Sequence, residues 1–205
     1  MSNSTYDAGD TLARRAAALS GPNADAPALF AFTDPVRTPD PAALARGLPP
    51  GCGLILRTFG RPELRAAAYE LADIARDRAL MLLISADPQL ALRCGAQGVH
   101  WPETFLGRAA RWRGAFSLVT ASAHGPSALR RAQTVADCIF VSPIFPSNSP
   151  SAGRALGPFR AAAYARRSIK PVYALGGVNA RTIGRLKGLG LSGVGAVAGA
   201  ARAQS

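Results

Sequence analysis

Eight short apolar runs recur along this chain, at residues 29–33, 53–58, 80–85, 98–101, 117–122, 138–142, 171–175 and 193–197. Most lack polar alternation, as strands buried on both faces require. The segments between them read as helices. Over 62–76, Leu64, Ala67, Ala68, Leu71 and Ile74 fall on one face. Pro62 suits the first turn of that helix, where its missing N–H costs nothing, and a further helix is predicted over 127–134. Regular alternation of such units predicts a parallel sheet. Eight units within 205 residues predict an α/β fold of the (β/α)8 TIM-barrel type, smaller than the usual ~250 residues. A doubly wound open sheet would place a glycine-rich loop after its first strand, where this chain has Thr33-Asp34-Pro35.

The barrel is expected to occupy residues 27–205 as a single domain. Residues 1–26 form an extension with a helix over 11–19 that lies against the barrel's bottom or frays in solvent. A Ser-, Pro- and Gly-rich loop, 145–157, follows the sixth strand at the end where barrels carry lids and substrate contacts. After the seventh strand, Gly176 and Gly177 let backbone N–H groups approach a ligand without a Cβ in the way. Asn179 is placed to cap a helix over 180–187, with Lys187 in its last turn. The eighth strand breaks at Ala198-Gly199. Two glycine turns after the last two strands are where phosphate-binding barrels hold their anion; two ordinary tight turns would read the same way.

Composition narrows the function classes. No apolar run approaches the ~20 residues of a membrane span. The N-terminus has acidic residues ahead of its arginines and no apolar signal-peptide core, so a cytoplasmic protein is expected. Cys52, Cys94 and Cys138 match no zinc spacing and read as reduced, buried thiols. The net charge of +12 raises nucleic-acid binding, but only Lys170 and Lys187 among the 24 basic residues are lysines. The arginines, Arg14, Arg65, Arg76, Arg130, Arg166 and Arg185 among them, are scattered over predicted helices without interleaved aromatics, so no nucleic-acid partner is expected. A positive field favours a phosphorylated small molecule by steering.

Reactive groups of such a barrel stand at the C-terminal ends of its strands. The candidates there are Asp34, Arg57, Ser85, Asp87, His100, Glu103, Ser122, His124, Ser142, Ser147 and Ser149. His124, just past the fifth strand, is the candidate acid/base because imidazole exchanges a proton near neutral pH, and its ring is expected to overhang the mouth. His100 ends the fourth strand and reads as a packing or hydrogen-bonding residue.

The ordered motifs FTDP, LILR, LLIS, GAQGVH, SAH, FVSPIFPS, ALGGVN and GVGAVAG, spanning 29–200, resemble the thiamine phosphate synthase superfamily, which also contains thiazole tautomerases of the TenI type. The resemblance implies the same barrel. It implies a thiazole phosphate held by Gly176, Gly177, Ala198 and Gly199, with Arg57, Ser122, Ser142, Ser147 and Ser149 as substrate-binding residues and His124 as the catalytic residue. It also implies, for a synthase, Mg2+ bound to a pyrimidine diphosphate. There the chain departs from the pattern. The family's glutamine and lysine flanking Arg57 are Ile55 and Phe59, its asparagine and metal aspartate after the third strand are Ser85 and Ala86, and the second aspartate falls near Phe105. Two threonines and a lysine of the long loop become Ser147, Ser149 and Pro150. Asp87 and Glu103 are the only stand-in metal carboxylates, with Arg154 in place of the loop lysine.

Three readings follow. The first is a tautomerase of thiamine metabolism that moves a proton with His124 and needs no metal or other cofactor. The second is a synthase with a rearranged Mg2+ site. The third is a non-catalytic barrel that binds a phosphorylated ligand. A homo-oligomer is left open.

Overall fold

Backbone order follows the alternating pattern closely. The computed structural model describes residues 4–20, 26–147 and 153–197. Eight parallel strands close into a barrel in chain order: β1 Leu29–Phe32, β2 Gly53–Leu56, β3 Met81–Ser85, β4 Gly98–Trp101, β5 Leu118–Ala123, β6 Cys138–Val141, β7 Val172–Ala174 and β8 Gly193–Val197. The seam is a parallel pairing of β1 with β8, Leu29 opposite Val194 and Phe32 opposite Val197. The outer helices are α2 Pro41–Gly47, α3 Pro62–Asp77, α4 Pro88–Cys94, α5 Leu106–Ala109, α6 Pro126–Ala132 and α7 Pro158–Arg167. All but α5 begin on proline, whose fixed φ suits the first turn. Asp40 and Asp87 cap α2 and α4 by accepting the N–H of Ala43 and Leu90. Among the described residues no helix is long and apolar enough to cross a membrane.

Each strand alternates between two cores. Outward residues such as Leu54, Leu56, Leu82, Ile84, Ile139 and Val141 pack against the helices. Inward residues Phe30, Phe32, Ile55, Leu83, Leu118, Phe140 and Tyr173 fill the barrel. Phe140 meets Phe30 and Phe32 edge-on, with centroids 5.3 and 5.0 Å apart. Glycines make room for these rings: a Cβ on Gly53 would overlap Phe30, and one on Gly195 would lie 2.8 Å from Phe32. The interior is thus a packed core, which leaves the C-terminal mouth as the place for chemistry.

Two expectations are corrected. Among the described residues the extension holds the helix α1 Ser4–Ala17, which lies neither beneath the barrel nor free. It packs on the outer wall across β1 and β8, with Ala16 fully buried, Arg15 donating to the carbonyl of Ala180 and Ser20 to that of Ser192. The helix predicted over 180–187 shrinks to a 3-10 turn, Ile183–Leu186. Asn179 does cap, its Oδ1 accepting from Arg181 and Thr182 N–H. Thr182 Oγ1 folds back to the Gly177 carbonyl, Lys187 leaves the turn in an extended conformation, and Gly188 (φ +75°) follows it. Lys187 therefore lies past a 3-10 turn and has no helix dipole to complement.

Candidate active site at the barrel mouth

The floor of the mouth is polar and sealed. His100, at the end of β4, is 2% exposed and packs edge-on against the rings of Phe32 and Phe140. Its Nδ1 is 2.8 Å from Thr120 Oγ1 and its Nε2 is 3.0 Å from Ser122 Oγ. Burial, with the Arg57 charge adding to it, pushes its pKa down to about 3. His100 is thus a neutral hydrogen-bonding residue, as expected. Between about pH 3 and the ordinary value of 6.5, the unfolded chain carries a proton here that the folded chain does not. Stability should therefore be complete above about pH 6.5 and fall on acidification through that window. Urea unfolding from pH 7.5 to 4.5 should show His100→Gln losing up to about 1.4 kcal/mol per pH unit less than the wild type; equal slopes would contradict this.

On the β1–β2 side, Arg57 is turned inward on the protein. Its Nε donates to the Thr33 carbonyl at 2.6 Å, its Nη2 pairs with Asp34 at 3.2 Å, and its guanidinium lies over Phe32 and Phe59. Asp34 also takes Arg37 at 3.1 Å. Burial raises the Asp34 pKa, but backbone and side-chain hydrogen bonds from Arg37 and Val36 outweigh it and leave the carboxyl below its ordinary value. Phe59 is largely exposed, where the resemblance has a lysine.

The carboxylates on the β3–β4 side are engaged as well. Asp87 caps α4 with Oδ1 and pairs with Arg65 through Oδ2. Ala86, in the place of the metal aspartate, keeps a left-handed backbone of φ +58°, a conformation Asp and Asn adopt more readily than alanine. Ser85 ends β3 nearly buried. Glu103 accepts both the backbone N–H of His124 (2.9 Å) and its Nδ1 (2.8 Å) on Oε2, while Oε1 faces Arg131 at 3.3 Å. Burial raises its pKa, yet the bonds from His124 and then the nearby charges of His124 and Arg131 pull it below the ordinary value. His124 is held at the rim by this carboxylate, with its side chain 49% exposed. Among the described residues, no three His, Cys, Asp or Glu side chains gather as metal ligands. Among the described residues, Asp87 and Glu103 are each bonded through both oxygens to groups of the protein.

The β6–β8 side carries the glycine turn. Ser142 follows β6 and is nearly buried, and Ser147 is half-buried in the loop beyond. Gly176 (φ +87°) and Gly177 (φ +67°) form the turn after β7. A Cβ on Gly176 would lie 2.8 Å from Pro143, and one on Gly177 would lie 2.6 Å from the Pro146 carbonyl oxygen. Both positions therefore need glycine for packing against the β6 loop as well as for φ. Among the described residues, the N–H groups of Gly176, Gly177 and Val178 donate no hydrogen bond. Arg185 brings a guanidinium alongside, over the Phe145 ring at 5.0 Å. Ser149, Pro150, Ala198 and Gly199 lie outside the described residues; Arg154 is described and exposed.

The mouth thus gathers Arg57, Ser122, His124, Ser142 and the Gly176–Gly177 turn at the strand ends. Arg37, Arg131 and Arg185 were missed in the sequence. Arg37 had a local signal, three residues after Asp34; Arg131 and Arg185 had none, because their partners come from distant loops.

A family model described as thiamine monophosphate synthase matches residues 41–200. No protein of curated function matches the chain. Among solved structures, a thiamine phosphate pyrophosphorylase from Pyrococcus furiosus is similar over 89% of this chain and 87% of its own, with 18% identity and a TM-score of 0.66. One from Bacteroides thetaiotaomicron is similar over 83% and 82%, with 19% identity and a TM-score of 0.51. An HpcH/HpaI aldolase from Desulfitobacterium hafniense covers 83% and 85%, with 14% identity and a TM-score of 0.59. At these identities the structural likenesses speak for the barrel fold alone.

Proposed function

Because the chain belongs to the thiamine monophosphate synthase family, we propose that it acts in thiamine metabolism on a phosphorylated thiazole, by proton transfer rather than by joining the ring to a pyrimidine. The observation that carries this reading is the division of the mouth. The three undonated N–H groups at Gly176–Val178 stand ready for a phosphate. The opposite wall has Arg57 tied to Asp34, Phe59 exposed, and its carboxylates bonded within the protein. A tautomerisation needs no leaving group. His124 Nε2 removes one proton from the thiazole carboxylate, the electron pair shifts through the ring system, and one proton returns at the other end, so nothing is oxidised or reduced. Glu103 fits a supporting role, because a carboxylate on Nδ1–H keeps Nε2 as the free base.

Titration calorimetry with a thiazole carboxylate phosphate, followed by proton NMR of the mixture, tests this. Binding with isomerisation is expected, and failure to bind would remove the reading. Binding without isomerisation would favour a ligand-binding barrel without turnover. The half-exposed His124, held at the rim by Glu103, is the observation that favours that second reading.

A further inference from the structure

The polar chain under the mouth has a direction. Thr120 is fully buried, and among the described residues its hydroxyl has one hydrogen-bond partner, His100 Nδ1. Phe32 and Phe140 wall the imidazole. A hydroxyl has one proton to donate and two lone pairs, and a buried donor without an acceptor costs about 1–3 kcal/mol. If Nδ1–H donated to Thr120, the threonine proton would have no acceptor in this closed space. If Thr120 donates to Nδ1, the imidazole proton sits on Nε2 and is donated in a hydrogen bond to Ser122 Oγ. Ser122 is 8% exposed and opens to the mouth, so its own proton is free to point there. Only this second arrangement leaves no buried donor unpaired.

We propose that Thr120 and His100 lock the Ser122 hydroxyl as a hydrogen-bond donor into the mouth, so that the site selects ligands presenting an acceptor atom to its floor. This rests on the thiazole phosphate reading for the identity of the ligand, whose ring nitrogen or carboxylate oxygen supplies the acceptor. His100 is a positioning residue in this account. Bonds in series polarise one another, which strengthens the donor at the end of the chain. Arg57 is the charged group acting on His100, and by disfavouring the imidazolium it keeps the direction fixed as pH changes. Thr120 and Ser122 on β5 and Ser85 on β3 add no charge.

Two measurements decide it. Long-range 15N–1H spectra of the full chain should show His100 as the neutral Nε2–H tautomer, unchanged from pH 5.5 to 8. The Nδ1–H tautomer, or a titration within that range, overturns the proposal. Calorimetry should show Ser122→Ala binding thiazole phosphate about 10-fold more weakly, with inorganic phosphate bound as by the wild type. Equal affinity for thiazole phosphate also overturns it. If the wild type binds inorganic phosphate but no thiazole phosphate, the functional reading falls while the His100 spectrum still decides the direction of the lock.

Discussion

Given hydroxymethylpyrimidine diphosphate, thiazole phosphate and Mg2+ together, the protein is expected to form no more than traces of thiamine phosphate. A departing diphosphate gathers negative charge in the transition state, and preorganised cations and donors must meet it. Removing one such donor costs roughly 100- to 1000-fold in rate. Here Ile55, Phe59 and Ala86 stand where the resemblance has a glutamine, a lysine and a metal carboxylate. Arg57 keeps its position, but its charge is balanced by Asp34 and its Nε is held by the Thr33 carbonyl. A product assay by chromatography, with and without Mg2+, checks this. A robust Mg2+-dependent rate lost in Asp87→Asn would show that Asp87 leaves Arg65 to ligate the metal.

The barrel was legible because its determinants are local. Runs such as 98–101 and 193–197 match the bounds of β4 and β8. The proline start of α3 was likewise visible. The helix over 180–187 misled because a capping asparagine says where a turn begins and nothing of how far it runs. Thr182, reaching back to the Gly177 carbonyl, decides that. The seat of α1 on the β1–β8 seam depends on closure of the barrel, which no single segment encodes.

The site was legible in residue type and less so in pairing. Gly176 and Gly177 were read as ligand contacts, and the structure adds a second demand on them, the close approach of Pro143 and Pro146. Gly177→Val would therefore disturb the β6 loop together with any bound anion. Glu103 was read as a stand-in metal ligand. The structure gives it Arg131 and the histidine 21 residues on as partners, the latter a pairing made by the adjacency of β4 and β5.

That pairing carries the last expected result. If the barrel is an isomerase, His124→Ala should remove 100- to 10,000-fold of the rate, the usual worth of a general acid/base, while the affinity for inorganic phosphate stays unchanged. The phosphate is expected on the N–H groups of Gly176–Val178, and His124 belongs to the loop after β5, so the two effects should separate. Glu103→Gln should give a smaller loss, falling on kcat and leaving KM nearly unaltered. Its amide oxygen can still accept from Nδ1–H, but it no longer supplies the negative charge that stabilises the imidazolium formed when the proton is taken. A steady-state comparison of the three proteins on the thiazole carboxylate phosphate decides the matter. Equal rates in all three would take the proton transfer away from His124 and assign it to another group of the mouth.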